Sequence, residues 1–353
     1  MHALRARAPG SASSPASRLS ALSFVPFLAI LTGCGPVAAR LRYVSSQATE
    51  ASWSFVVDDH ARSAELLVDG RERPDCDRAG LTVRCELRGL FPGGHTVELR
   101  LPGAVLRRSV VVGRSWPERP VLVRVRSPDE AKEASEAGAD GVIADPATAL
   151  TDLQEIAEAA HVRSARLFVV GDAGAIETAG ADGVVGGAIP PEVHRRFPEA
   201  RVLTLDPAGT VALEKLAESA SAEDSGKLDQ AGGVVEGKGL IAGTLALLAP
   251  RGAIVDKSAF PLLSARKRHA ALRTGTHRVL SSEPGRLGLV LARGGDEVTI
   301  LVNAAAAPWP VRPQGPMNPL DLMGGHVTDG EVSVAPHDVA VIVSGPVPDR
   351  TRF

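Results

Sequence analysis

The sequence predicts an α/β unit flanked by two all-β units, and three observations predict it. Short β-prone runs divided by turn residues fill positions 46–114. From 119 to 273, strand-like runs alternate with helical ones, the pattern of a parallel sheet. From 276 to 344 antiparallel strand signals return. A length of 353 residues accommodates two or three domains. With 44% hydrophobic and 23% charged residues, the composition is globular. Its 39 bases and 41 acids are nearly balanced, which excludes a nucleic-acid surface.

The chain opens with an address. Arg5, Arg7 and Arg18 form a positive n-region without an acid, followed by an apolar run over 19–31 and the ending Leu31-Thr32-Gly33-Cys34. Thirteen residues are too few to span a hydrocarbon core, which takes roughly 20. The ending resembles a bacterial lipobox, which implies a signal peptide over 1–33 and acylation of Cys34, with palmitate among the chains. Gly35 after the cysteine resembles the sorting pattern of outer-membrane lipoproteins. The expected location is therefore the bacterial cell envelope, with the lipid anchor holding the protein to the membrane. Removing the three arginines leaves 36 bases against 41 acids.

Residues 34–45 read as a linker and 46–116 as an immunoglobulin-like β-sandwich, with strand runs at 52–57, 64–68, 81–87, 96–101 and 108–112. Two cysteines remain in it, Cys76 and Cys85. In an oxidising compartment an even remainder suggests a disulfide, worth about 2.5–3 kcal/mol for a ten-residue loop. No further Cys or His sits at ligand spacing, so no metal site is expected. No cofactor is expected either.

Residues 117–275 carry the α/β pattern. Strands are expected at 121–125, 141–144, 167–170, 183–186, 202–205 and 253–255. Helices are expected near 128–137, 149–160, 173–179, 190–197, 208–219, 237–249 and 259–273. Ser127-Pro128-Asp129-Glu130 is a helix start, with a cap residue, proline at the first position and early acids. Gly138-Ala139-Asp140-Gly141-Val142 recurs as Gly180-Ala181-Asp182-Gly183-Val184. With no third copy and no phosphate-loop context, the repeat reads as shared turn chemistry between a helix end and a strand start. Residues 276–346 form the second β-sandwich, with a hairpin signal at Gly294-Gly295-Asp296, and 347–353 form a tail.

Several segments carry a family resemblance. Residues 247–255, the basic run Arg266-Lys267-Arg268, the strand-like Val298-Thr299-Ile300-Leu301-Val302-Asn303, Leu320-Asp321-Leu322-Met323 and residues 335–341 follow one another in a recognisable order. They resemble the last barrel strand, closing helix and C-terminal sandwich of an α-amylase family glycoside hydrolase. The resemblance implies a shortened, incomplete (β/α) barrel, since six strands are read where the family has eight. It also places Val185 and Gly187 where active members carry an Arg-x-Asp with the nucleophile. Asp206 stands where the fifth strand supplies the general acid. Residues 217–239 resemble a polar loop replacing the sixth and seventh strands, with no histidine.

A retaining glycosidase needs two carboxyl groups about 5–5.5 Å apart. Within 119–273 the aromatic residues are Phe168, Phe197 and Phe260, a poor supply of stacking surface for sugars. The expectation is a pseudoenzyme with a binding or structural role, its partner a carbohydrate or an envelope protein. The alternative is an active glycoside hydrolase with relocated carboxylates. Its weak candidates are Asp145, Asp172, Asp206 and Asp256, which fall at or just past strand ends, where barrel sites lie. Loop aspartates in such places also cap the following helices.

Overall fold

A computed structural model describes residues 40–42, 51–56, 65–72, 76–79, 82–87, 90–101, 104–112, 116–145, 148–171, 181–187, 191, 193, 201–312 and 323–344. Cys34, Asp172 and the expected helix at 173–179 lie outside these residues, as does most of the one at 190–197, of which 191 and 193 are helical.

Two four-stranded antiparallel sheets come first. One has the order β1-β2-β6-β5, from β1 (Arg40–Arg42), β2 (Ala51–Val56), β5 (Cys76–Ala79) and β6 (Thr82–Leu87). The other has the order β4-β3-β7-β8, from β3 (Glu65–Val68), β4 (Arg71–Glu72), β7 (Gly93–Leu101) and β8 (Ala104–Val112). Strand β1 begins inside the stretch expected to be linker, and β4 and β5 were not expected. All three are short and polar, so they carry little apolar alternation.

Seven parallel strands follow: β9 (Val121–Val125), β10 (Gly141–Ala144), β11 (Arg166–Val170), β12 (Gly183–Gly186), β13 (Arg201–Thr204), β14 (Val235–Gly237) and β15 (Ala253–Val255). Their order is β13-β12-β11-β10-β9-β15-β14. Around them run α1 (Pro128–Ala137), α2 (Leu150–His161), α3 (Pro207–Ser219), α4 (Ala222–Leu228), α5 (Gly239–Ala246), α6 (Phe260–Arg268) and α7 (Ala270–Thr274). Among the described residues no helix is long and apolar enough to cross a membrane.

The two edges of this sheet touch. Leu205, just past β13, forms a parallel bridge with Val234, just before β14. Asp206 donates its N–H to the Val234 carbonyl at 2.9 Å, and Val234 donates to the Thr204 carbonyl at 2.8 Å. The sheet thus curls until a single bridge joins its ends. Successive side chains of a strand point to opposite faces. One face supplies Leu122, Ile143, Phe168, Val185, Val234 and Ile254 to an interior cluster, and Leu203 and Leu205 pack on it. The other face packs under the helices, with Val121, Val123, Val142, Val184 and Val235.

The expectation of six strands is corrected to seven, and residues 217–239 are not a polar loop. They hold the end of α3, then α4 and β14. The polar composition belongs to caps and solvent faces: Ser221 Oγ accepts the Asp224 N–H, while Ser225 and Leu228 are buried. Strand β14 has only three residues, one of them charged and one a glycine.

The repeated Gly-Ala-Asp-Gly-Val turns work as strand latches at the N-terminal ends of the strands. Asp140 and Val121 exchange two hydrogen bonds: the Asp140 N–H meets the Val121 carbonyl at 2.8 Å, and the Asp140 carboxylate accepts the Val121 N–H at 2.9 Å. Asp182 repeats this with Leu167, at 2.8 Å in both directions. Gly138 ends α1 at φ 120°, a left-handed conformation that favours glycine. Gly141 and Gly183 lie on the interior face beside Phe168, and a Cβ on either would come within about 3 Å of that ring. The motif therefore makes room for the largest fully buried side chain. The described part of the two turns shares this latch, and the helix end expected before the second copy lies outside the described residues.

The last part pairs a four-stranded sheet with a three-stranded one. The first has the order β16-β17-β18-β22, from β16 (Thr276–Glu283), β17 (Arg286–Arg293), β18 (Asp296–Asn303) and β22 (Asp338–Ser344). The second has the order β19-β21-β20, from β19 (Trp309–Val311), β20 (His326–Thr328) and β21 (Glu331–Val334). Leu301, Ala340 and Ile342 meet Trp309, Val332 and Val334 between them. The opposite face, with Leu289, Leu291, Ile300, Val302 and Val341, shares the core beneath the barrel helices. Gly294 and Gly295, at φ 57° and 91°, make the expected hairpin turn.

Candidate functional site

A cavity of about 340 Å³ opens at the C-terminal ends of β9, β10, β14 and β15. The interior register that buries Leu122 in β9 brings Arg124 to the mouth two residues later, and Val234 is likewise followed by Glu236. The two side chains meet across β15 as a fork: Nε to Oε1 at 2.8 Å and Nη2 to Oε2 at 3.2 Å. The hydrogen bond from Arg124 outweighs partial burial and holds the Glu236 carboxyl below its usual range. Neither residue was singled out in the sequence. A charge inside a strand reads as a solvent-facing position, and β14 itself was not recognised.

Asp256 follows β15 and lines the same cavity. Its carboxylate accepts the Gly239 N–H at 2.7 Å and the Ser258 N–H at 3.0 Å, and the Ser258 hydroxyl as well. Burial would raise its pKa, but these donors and the Lys238 charge lower it. Asp256 thus caps a 3₁₀ turn and the start of α5 together.

Asp206 stands past β13 at the bridge that joins the sheet edges. One carboxylate oxygen accepts the Gly209 N–H at 2.8 Å, capping α3, and the other accepts the Gly232 N–H at 2.8 Å. These backbone donors, Gly209 foremost, keep its pKa below the usual value against slight desolvation. Asp145 follows β10, is exposed and lines the cavity, and its carbonyl accepts the Thr148 N–H at 2.9 Å. The cavity therefore gathers Asp145 and Asp256 but not Asp206, and Asp172 falls outside the described residues. Gly187 is exposed past β12, and open space surrounds the position a Cβ would take.

Lys238 follows β14 and Lys257 opens the 3₁₀ turn after β15; both line the mouth. Glu130 and Glu133 of α1 line it from the β9 side, where Glu130 accepts the Arg126 N–H at 2.7 Å. Phe260 is the aromatic residue in the lining. No group of three or more metal-ligating side chains is found among the described residues.

The two cysteines of the N-terminal sheets lie opposite each other, Cys76 of β5 in register with Cys85 of β6.

No protein-family model matches the sequence, and no curated protein matches it. Among solved structures, the chain is similar to an Anoxybacillus α-amylase at 10% identity and a TM-score of 0.45, covering 66% of this chain and 99% of that one. It is similar to an α-amylase from Geobacillus thermoleovorans, complexed with acarbose, at 9% identity and a TM-score of 0.44, covering 65% and 99%. It is also similar to a maltogenic amylase from S. marinus at 8% identity and a TM-score of 0.40, covering 86% and 81%. At such identities and scores, none of these likenesses assigns an activity to this chain.

Proposed function

We propose that this chain is a lipid-anchored protein of a bacterial envelope, built on an α-amylase-like barrel that binds a ligand and does not hydrolyse glycosides. The observation that carries the reading is the state of the carboxylates around the barrel mouth. Glu236, Asp256 and Asp206 are each held below their usual pKa, by Arg124, by Ser258 and Gly239, and by Gly209 and Gly232 respectively. A glycosidase acid needs the opposite, a carboxyl raised far enough to stay protonated near neutral pH. Gly187, at the position that resembles the family's nucleophile, has no carboxylate to form a glycosyl intermediate. A mouth in which Glu236 and Asp256 are engaged and a cavity is left open suits binding.

The anchor supports the location. The n-region, the short apolar run and the Leu-Thr-Gly-Cys ending together give a lipoprotein export signal, so the barrel would face the periplasm or the cell surface from an acylated Cys34.

The test is sugar release from starch, glycogen and short maltodextrins by the mature, detergent-extracted protein. No release above background is expected. Release that Asp145→Asn or Glu236→Gln abolishes with folding intact would overturn the reading in favour of a hydrolase with relocated carboxylates.

A further inference from the structure

We infer that the barrel mouth takes a small zwitterion whose free ammonium and free carboxylate stand at opposite ends of the molecule, such as a dipeptide. The inference deepens the binding role proposed above and rests on it.

The cavity, about 340 Å³, falls at the small end of ligand pockets, which span roughly 300–1,000 Å³. Its charges are sorted by strand. In the order β10-β9-β15-β14, and outside the Arg124–Glu236 pair, Glu130, Glu133 and Asp145 outnumber Arg126 on the β9–β10 side, while Lys238 and Lys257 outnumber Asp256 on the β14–β15 side. Neighbouring strands lie about 4.8 Å apart, so the ends of β10 and β14 are separated by about three such spacings along the curved wall. The Arg124–Glu236 fork lies between them and is neutral as a unit.

A ligand's charges would therefore be met at the two sides and not at the centre. The side chains of Glu133, Lys238 and Lys257 make no hydrogen bond or ion pair among the described residues, although the Lys238 charge also acts on Asp256 and Glu236. An ammonium would settle toward Glu133 and Asp145, and a carboxylate toward Lys238 and Lys257. A neutral sugar would leave both groups unmatched and would find Phe260 as its stacking surface in the lining. Opposite charges across one cavity select orientation as well as class, since a reversed ligand meets like charge at both ends.

The experiment is calorimetric titration of the mature, detergent-extracted protein with L-alanine, L-alanyl-L-alanine, its N-acetyl and C-amide forms, and maltotriose. Saturable binding of the free dipeptide is expected, with either blocked form weakened about tenfold and free alanine, whose charges share one carbon, also weaker. Lys238→Gln combined with Lys257→Gln should erase the preference for a free carboxylate. Glu133→Gln combined with Asp145→Asn should erase the preference for a free ammonium. Circular dichroism would verify the fold of each variant.

Failure of the free dipeptide to bind at millimolar concentration overturns the inference, as does equal binding of blocked and free dipeptide. Binding of maltotriose alone overturns the zwitterion and leaves the binding role standing. Hydrolysis of maltotriose overturns the role itself.

Discussion

One carboxylate oxygen of Asp182 accepts both the His161 Nε2–H at 2.7 Å and the Leu167 backbone N–H at 2.8 Å. The other ring nitrogen of His161 meets Ser109 Oγ at 2.9 Å. Ser109 belongs to β8, His161 to the end of α2 and Asp182 to a barrel turn, and all three are buried. The chain of bonds thus ties the leading sheets to the barrel. Gly94 packs there too: a Cβ on it would overlap the His161 carbonyl, so strand and helix end approach backbone to backbone.

Asp182→Asn should destabilise the protein by about 1–3 kcal/mol at neutral pH, because it weakens two buried hydrogen bonds. Burial would raise the Asp182 pKa, but the charge and hydrogen bond of His161, with Arg166 and the Leu167 N–H, hold it below its ordinary 3.8. A depressed folded value means that this stabilisation is complete above the unfolded pKa and is lost as pH falls through the folded one. Urea midpoints of wild type and variant should therefore differ fully at neutral pH, begin to converge below about pH 4 and meet only below the depressed folded value. A difference that ignores pH would show that ionised Asp182 contributes nothing.

Arg266→Met should cost more, about 3–5 kcal/mol, because it strands a partner. Arg266 is 4% exposed; it donates to Asp140 at 2.8 Å and to the Arg119 carbonyl at 2.6 Å. Adding Asp140→Asn to the variant should recover at least about 1 kcal/mol, as expected for coupled neighbours. Strictly additive losses in denaturant melts would remove the pair from the account of stability.

Much of the barrel is legible in the sequence, for a physical reason. Strands β10, β12 and β15, and β9 apart from Arg124, are buried on both faces, so each is a short and mostly apolar run between turn residues. Strand β14 escapes that signal because its middle residue, Glu236, faces the mouth. The mouth was half legible. Asp145 and Asp256 follow from the rule that strand ends build barrel sites, yet the engagement of Asp256 depends on Gly239 and Ser258, whose approach only the fold decides. Arg124 and Glu236 lie 112 positions apart, and no local pattern announces their pairing. The aspartates of the repeated turns were visible as a motif, but their partners Val121 and Leu167 lie on neighbouring strands.

Cys34→Ser should move the protein from the membrane fraction to the soluble one. Acyl chains would be the attachment, and the apolar run before them is shorter than a span. A serine variant that is processed at the same place and still sediments with membranes would refute acylation.

Cys76 and Cys85 should be joined in the exported protein. Register partners on antiparallel strands have Cα atoms about 4.5–5.5 Å apart, within the roughly 4.4–6.8 Å that a disulfide spans. Alkylation without reductant should label neither cysteine, and reduction should lower stability by about 2.5–3 kcal/mol. Two labelled thiols in the exported form would refute the bond.

The four-stranded sheet that follows Gly275 is covered on both faces along β17, β18 and β22. Its one face fills the space against Trp309 and Val332, and its other face, with Leu289, Ile300 and Val341, completes the packing under the barrel helices. The junction is therefore a boundary in topology without being a place of separation. A chain cut there would present a broad greasy flank to water on one fragment and an uncovered sheet on the other, and both would aggregate. In the intact chain, the barrel and its trailing sheets should melt as one calorimetric event, with a van't Hoff enthalpy that matches the measured heat of both.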